Sequence, residues 1–143
     1  QGANGEAALS NSECLSADVN VALDPTFADV LERRNAAQIN YGPSLTKYTG
    51  SRGKSGTSDA SAEFVGKIRG LLTKAGVVWQ TGELGKVDLG GGGTVAMYIA
   101  SLNVDVVDLG VPVLSMHAPF EVVSKLDVYM MFKAVEAFYA DKN

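Results

Sequence analysis

The chain has one cysteine, Cys14, and one histidine, His117, in 143 residues. A single cysteine excludes an intrachain disulfide and a four-cysteine zinc knot. It suits a reducing compartment, so the cytoplasm is the expected location. No apolar run is long enough to span a bilayer, and the first residues do not read as a signal peptide. Basic charge is short: 12 Lys and Arg stand against 16 Asp and Glu, a net charge of -4. That speaks against nucleic acid and against an anionic membrane surface as partners, since both want clustered cations. The nucleophile motif G-x-S-x-G is missing. An initiator methionine is missing too. The chain opens "QGANGEAALSNSE", small and polar, so residues 1–13 are expected to form a loop or loose lead-in, and the chain is expected to be a processed or cut-out piece.

The rest builds one domain. The composition is 46% hydrophobic and 20% charged, enough for a core. "CLSADV" (14–19) reads as a buried strand ending near Asp18. "DPTFADVLERRNAAQ" reads as a helix, with Asp24 as cap, Pro25 in its first turn and Phe27, Val30 and Leu31 as its apolar face. "LTKYT" (45–49) reads as a strand and "GSRGKSGTS" as a loop, with Ser58 capping the next helix. In that helix Phe64, Val65, Ile68, Leu71 and Leu72 share one face, and Gly76 stands where a C-terminal cap belongs. "VVWQT" (77–81) reads as a strand. "TVAMYIASL" (94–102), apolar nearly all round, reads as a buried helix. "VDVVDLG" and "VPVLSM" are short apolar strands. A long helix is expected from Glu121, with a stripe of Val122, Val123, Leu126, Met130, Ala134 and Phe138, and Lys142 near its end. Strands alternating with helices predict an α/β fold: a three-layer αβα sandwich with a mostly parallel central sheet.

Three places could carry chemistry. His117 ends the run "VPVLSM", and Asp18 ends the run "CLSAD". In open α/β sheets ligands gather at the carboxyl ends of strands, so the two could face one crevice. A carboxylate and an imidazole are good zinc ligands, but a catalytic zinc usually takes three protein ligands and a water. Asp88, Asp105 and Asp108 are available carboxylates without ligand spacing. On composition alone, a lone histidine after an apolar run is more often structural. The second place is "GGGGT" (90–94), where glycines allow close backbone approach to a ligand; a mobile turn is the plainer reading. The third is "GSRGKSGTS". Gly53, Lys54 and Ser55 match the end of a phosphate-binding loop, but Tyr48 stands where its first glycine belongs, and the loop continues where a helix should run. Cys14, inside an expected strand, is a poor nucleophile.

Taken together, "CLSADVNVALDPTF", "RNAAQINYGPSLTKYTGSRGKSGTSDAS", "QTGELGKVDLGGGGTVAMYIA" and "VDVVDLGVPVLSMHAPFEVVSKLDVYMMFKAVEAF" resemble the aspartyl aminopeptidase / aminopeptidase I family of dinuclear zinc metallopeptidases, nearest its clostridial-type branch. The resemblance runs from about Cys14 to the end. It implies that Asp18 binds one of two zinc ions and His117 the other. It implies that Gly92, Gly93, Thr94 and Met116 face a peptide substrate, with Ser115 shaping the cleft and Arg52 and Lys54 on the substrate side. The activity implied is removal of N-terminal residues from peptides, with two zinc ions activating a water and a glutamate taking its proton. That glutamate and the remaining ligands would belong to an N-terminal part of the same enzyme that these residues do not include; residues 1–143 would be the C-terminal part of a catalytic domain. A large homo-oligomer is also implied. One position departs from the family: some members carry a His-Pro pair that reaches a neighbouring subunit, and here the pair is Asp24-Pro25. The alternative is a non-catalytic α/β fragment that binds metal weakly or only assembles.

Overall fold

The computed structural model describes residues 4–52, 55–86 and 88–141. In chain order the first half holds α1 (Gly5–Ser10), β1 (Glu13–Ser16), β2 (Asn20–Val21), a 3-10 segment (Pro25–Val30), β3 (Ser44–Thr46), β4 (Tyr48–Ser51), β5 (Ser55–Asp59) and α2 (Ala62–Lys74). The second half holds β6 (Gln80–Thr81), β7 (Gly91–Gly92), α3 (Ala96–Ala100), β8 (Asp105–Gly110), β9 (Pro112–Leu114), β10 (Val122–Val123) and α4 (Lys125–Ala140).

The fold is α/β, as expected. Its central sheet has the order β1-β8-β3-β6. β1 and β8 are parallel, as are β3 and β6, but β3 runs antiparallel to β8, so the sheet is mixed. Two small sheets flank it, β10-β9-β2 and β5-β4-β7.

Strand side chains alternate between faces, and the two faces of this sheet differ in chemistry. Leu45, Val107 and Leu109 enter one core cluster with Phe64, Ile68 and Leu72 of α2 and Ala134 of α4, and Leu15 packs against it. The opposite face carries Ser16, Asp108 and Thr46, which lie side by side on β1, β8 and β3. All three are buried. Asn20, itself 2% exposed, joins this row at its β3 end: its Nδ2 donates to Ser44 Oγ at 3.0 Å and to Thr46 Oγ1 at 2.7 Å. The apolar face makes the core; the polar face leads to the site.

Helix α2 follows its expected stripe. Phe64, Ile68 and Leu72 are buried, and Gly76 takes φ 66° just past the end. Each such buried side chain stabilises the fold by about 1.5–3 kcal/mol. Lys67 on this helix bonds Glu13 of β1 and pairs with Asp141 beyond α4, tying three elements together.

Several expectations fail for identifiable reasons. The cap of α2 is Ser61, whose Oγ accepts from the Phe64 N–H at 3.2 Å. Ser58 is instead in β5, paired with Thr49 of β4; a long-range ladder overrides the local look of a Ser- and Gly-rich loop. The segment after Asp24 forms only a 3-10 stretch, kinked at Phe27 (φ -126°, ψ 38°), with Phe27 and Val30 exposed and Leu31 alone buried. Too little of its apolar face is covered to stabilise a longer helix. The long C-terminal helix starts at Lys125, not at Glu121: Val122 and Val123 pair with β9, and Ser124 caps α4. Leu126 is exposed, so the stripe reduces to Ala134 with Met130 and Phe138. The helix "TVAMYIASL" shrinks to α3, where Ala96 is buried but Val95, Tyr98 and Leu102 are exposed. "VVWQT" is a strand only at Gln80–Thr81. Lys142 lies outside the described residues.

Candidate functional site

Two chain crossings place the histidine and the aspartate. Asp18 lies in the short link after β1, and His117 lies in the turn after β9. That turn is tightly wound. Ser115 and His117 adopt φ 58° and 66°, the left-handed region that non-glycine residues rarely occupy. The Ala118 N–H donates to the Ser115 carbonyl at 3.0 Å, and the His117 N–H donates to the Glu121 carboxylate. Backbone of this kind persists where surrounding contacts over-determine it, and it clusters at functional sites. The Asp18 link is set by Gly110 at the end of β8. A Cβ there would meet the Asp18 carbonyl oxygen at 1.7 Å, so only glycine lets β8 pass this close.

Asp18 and His117 both line one cleft of about 290 Å³. Asp18, Met116 and His117 line one part of it, and Gly92, Gly93 and Thr94 another. Val19, Val21, Leu84 and Gly85 complete the walls. The sequence reading had not singled out these four residues. They are small or apolar and carry no motif; only the fold brings them here.

The glycine wall is held at both ends. Gly91 and Gly92 form β7 and pair with Ser51 and Gly50 of β4. Gly91 has φ 87°, and a Cβ there would strike the Gly50 carbonyl oxygen at 2.4 Å. At the other end Thr94 is buried, and its Oγ1 donates to Asp108 Oδ2 at 2.8 Å. Thr49 Oγ1 lies 3.5 Å from the same hydroxyl. Burial raises the pKa of the Asp108 carboxyl above the usual aspartate range; the Ser16 and Thr94 hydroxyls oppose that shift, and the Asp18 charge adds to it. Burial likewise raises the Cys14 thiol, with Asp108 adding to the effect. Cys14 is therefore held as the neutral thiol, in keeping with a poor nucleophile.

Other expected site residues fall elsewhere. Arg52 is exposed with φ 48° and does not line this cleft; its N–H donates to the Gly90 carbonyl, so its backbone supports the glycine segment. Lys54 lies outside the described residues. Of "RGKS", Ser55 opens β5 and pairs with Ser51 of β4, while Gly53, like Lys54, lies outside the described residues. Asp105 opens β8 and accepts from Ser61 Oγ at 3.4 Å, and Asp88 lines a different pocket beside Glu83 and Lys86. Neither joins Asp18 and His117.

The donor set bears on metal. Among the described residues no three His, Cys, Asp or Glu side chains gather to hold an ion. Asp18 and His117 are two donors of the right kind for zinc, so they fit part of a zinc site and cannot complete one.

The profile of the family described as "Aminopeptidase I zinc metalloprotease (M18)" matches residues 1–139. The chain belongs to this family. It is 51% identical over 131 residues to a probable M18 family aminopeptidase 1 of Clostridium acetobutylicum, covering 92% of this chain and 28% of that protein. A counterpart from Thermotoga maritima is 48% identical over 126 residues, covering 88% and 28%. The crystal structure of aminopeptidase I from Clostridium acetobutylicum superposes with a TM-score of 0.90 at 49% identity, over 95% of this chain and 30% of that one. The M18 aminopeptidase structure from Thermotoga maritima gives 0.88 at 45%, over 92% and 29%. A more distant likeness, TM-score 0.73 at 22% identity over 97% and 29%, is to the S. cerevesiae mApe1 dodecamer and concerns the fold. The chain thus spans less than a third of the length of these Clostridium acetobutylicum and Thermotoga maritima relatives.

Proposed function

We propose that this chain supplies one side of the metal site and substrate cleft of a zinc aminopeptidase that removes N-terminal residues from peptides. The observation that carries the reading is the convergence of Asp18, His117, Met116 and the Gly92–Thr94 segment on one cleft, in a chain of the M18 family. Asp18 would hold one of two zinc ions through its carboxylate, and His117 the other through its imidazole. Bound there, zinc supplies a Lewis acid that polarises the scissile carbonyl and lowers the pKa of a water. The chain's own residues do the rest of what falls to this side. The turn at Ser115–His117, left-handed at both ends, carries His117 at the edge of the cleft. Gly110 sets the distance of the Asp18 link from β8. The glycine segment, free of side chains, lets a peptide backbone approach. Val19, Val21 and Leu84 add apolar surface to the cleft walls.

The general base, a glutamate, and the remaining ligands would come from the longer enzyme. In that enzyme a large homo-oligomer is the expected assembly; a distant fold relative is a dodecamer. No helix among the described residues is long and apolar enough to cross a membrane. Peptides, rather than nucleic acid or membrane, are the partners proposed, and the cytoplasm the place.

A second reading has one observation behind it: with two donors and no third among the described residues, this chain by itself would bind metal weakly. Substitution in the complete enzyme separates the two. Asp18→Ala and His117→Ala should each abolish hydrolysis and lower zinc content while the melting transition stays cooperative. Full activity in either variant would remove that residue from the metal site.

A further inference from the structure

We propose that Asp108 is a positioning residue that fixes the glycine wall of the cleft by holding the Thr94 hydroxyl. The inference rests on the cleft being the peptide site proposed above. A run of glycines has no side chains to pack, so its place is decided at its anchors. The upstream anchor is the β7–β4 pairing together with the Arg52 N–H to the Gly90 carbonyl. The downstream anchor is Thr94, because Val95, which follows it and caps α3, offers no side-chain hydrogen bond to the helix. Thr94 Oγ1 donates to Asp108 Oδ2 at 2.8 Å. Asp108 is a rigid post: it sits in the middle of the central sheet, opposite Ser16 on one side and Thr46 on the other, and is 5% exposed.

A purely structural role fits Asp108 less well. Its Oδ1 is buried and has no hydrogen-bond partner among the described residues. An apolar residue would avoid that penalty and fill a sheet interior better. What an apolar residue lacks is an acceptor for Thr94. The Asn20 bridge to Ser44 and Thr46 lies on the same face, and Ser16, beside Asp108, ends β1 two residues before Asp18. Asp108 thereby ties one wall of the cleft to the sheet that also places Asp18.

The test uses the complete enzyme with a peptide substrate. Kinetics, zinc content and melting temperature are measured for Asp108→Ala, Asp108→Asn, Thr94→Val and the Asp108→Ala/Thr94→Val double variant. Losing one well-placed hydrogen bond corresponds to roughly a tenfold change. Asp108→Ala and Thr94→Val should each raise KM about that much with zinc content unchanged. The double variant should be no worse than the worse single one, since both remove the same contact. Asp108→Asn, whose amide oxygen still accepts from Thr94, should recover most of the loss. An unchanged KM in Asp108→Ala, or penalties that multiply in the double variant, would overturn the proposal. Should Asp108→Ala not fold, Thr94→Val against Thr94→Ser isolates the hydroxyl: equal KM values overturn it, and recovery in the serine variant supports it. A wild-type enzyme without chelator-sensitive peptide hydrolysis would instead sink the aminopeptidase reading itself.

Discussion

The two residues proposed to hold metal are set by backbone geometry. His117 sits in a left-handed turn, and Asp18 in a link that a glycine lets approach the sheet. Asp108 is the exception, a buried carboxyl whose pKa is raised chiefly by burial. The folded state then holds the Asp108 proton more tightly than the unfolded chain does. Its contribution to stability is present below the ordinary aspartate pKa of about 3.9 and is lost as pH rises through the folded-state value. Asparagine has no such penalty. The melting temperature of Asp108→Asn relative to wild type should therefore climb as pH rises through that window. A difference that stays flat from acid to neutral pH would show that Asp108 is not buried as described. At this scale the sequence told part of the story. Asp18 and His117 were legible as candidates because each ends an apolar run. Asp108 looked like one spare carboxylate among several. Its partnership with Thr94 depends on β3, β8 and β1 lying side by side, which no local pattern carries.

At the scale of elements, α2 was the most legible. Its buried residues recur at helical spacing, and a glycine follows its end. The segments misread were those whose state is decided by distant partners: β5 by its ladder to β4, β10 by its ladder to β9, and the weakly covered stretch after Asp24. Helix α4 hides a further device that its pattern did not disclose. Asp127 is 1% exposed; its Oδ2 accepts from the Asn40 N–H and its Oδ1 from the Gly42 N–H, both at 2.8 Å. Ser124 Oγ donates to Asn40 Oδ1 at 2.6 Å. The first turn of α4 thus grips a turn in which Asn40 and Gly42 take φ 72° and 83°. Each buried N–H left without a partner costs about 1–3 kcal/mol. Gly42 is buried and Asn40 exposed, so Asp127→Ala should lower unfolding stability by roughly one such group, with a smaller addition from Asn40, read from denaturant midpoints, and Asp127→Asn by less. A neutral alanine variant would mean that water satisfies both amides and that the grip on residues 40–42 adds nothing.

Across the whole molecule, one face of the sheet is a finished core and the other leads into an open cleft with two zinc-type donors. Apolar side chains also remain exposed on α3 and α4, among them Tyr98, Leu126, Tyr129 and Phe132. We propose that the longer enzyme covers part of this surface and completes the metal site. The 143-residue chain purified alone should then hydrolyse no peptide with added zinc, whereas the complete enzyme should do so and lose activity to a chelator. Robust zinc-dependent hydrolysis by the chain alone would overturn the division of labour.

The most direct measurement is anomalous diffraction at the zinc edge from crystals of the complete enzyme. The account predicts two anomalous peaks in the cleft, with the Asp18 carboxylate and the His117 imidazole each about 2.0–2.2 Å from one of them. Zinc bound with neither side chain in reach would contradict it.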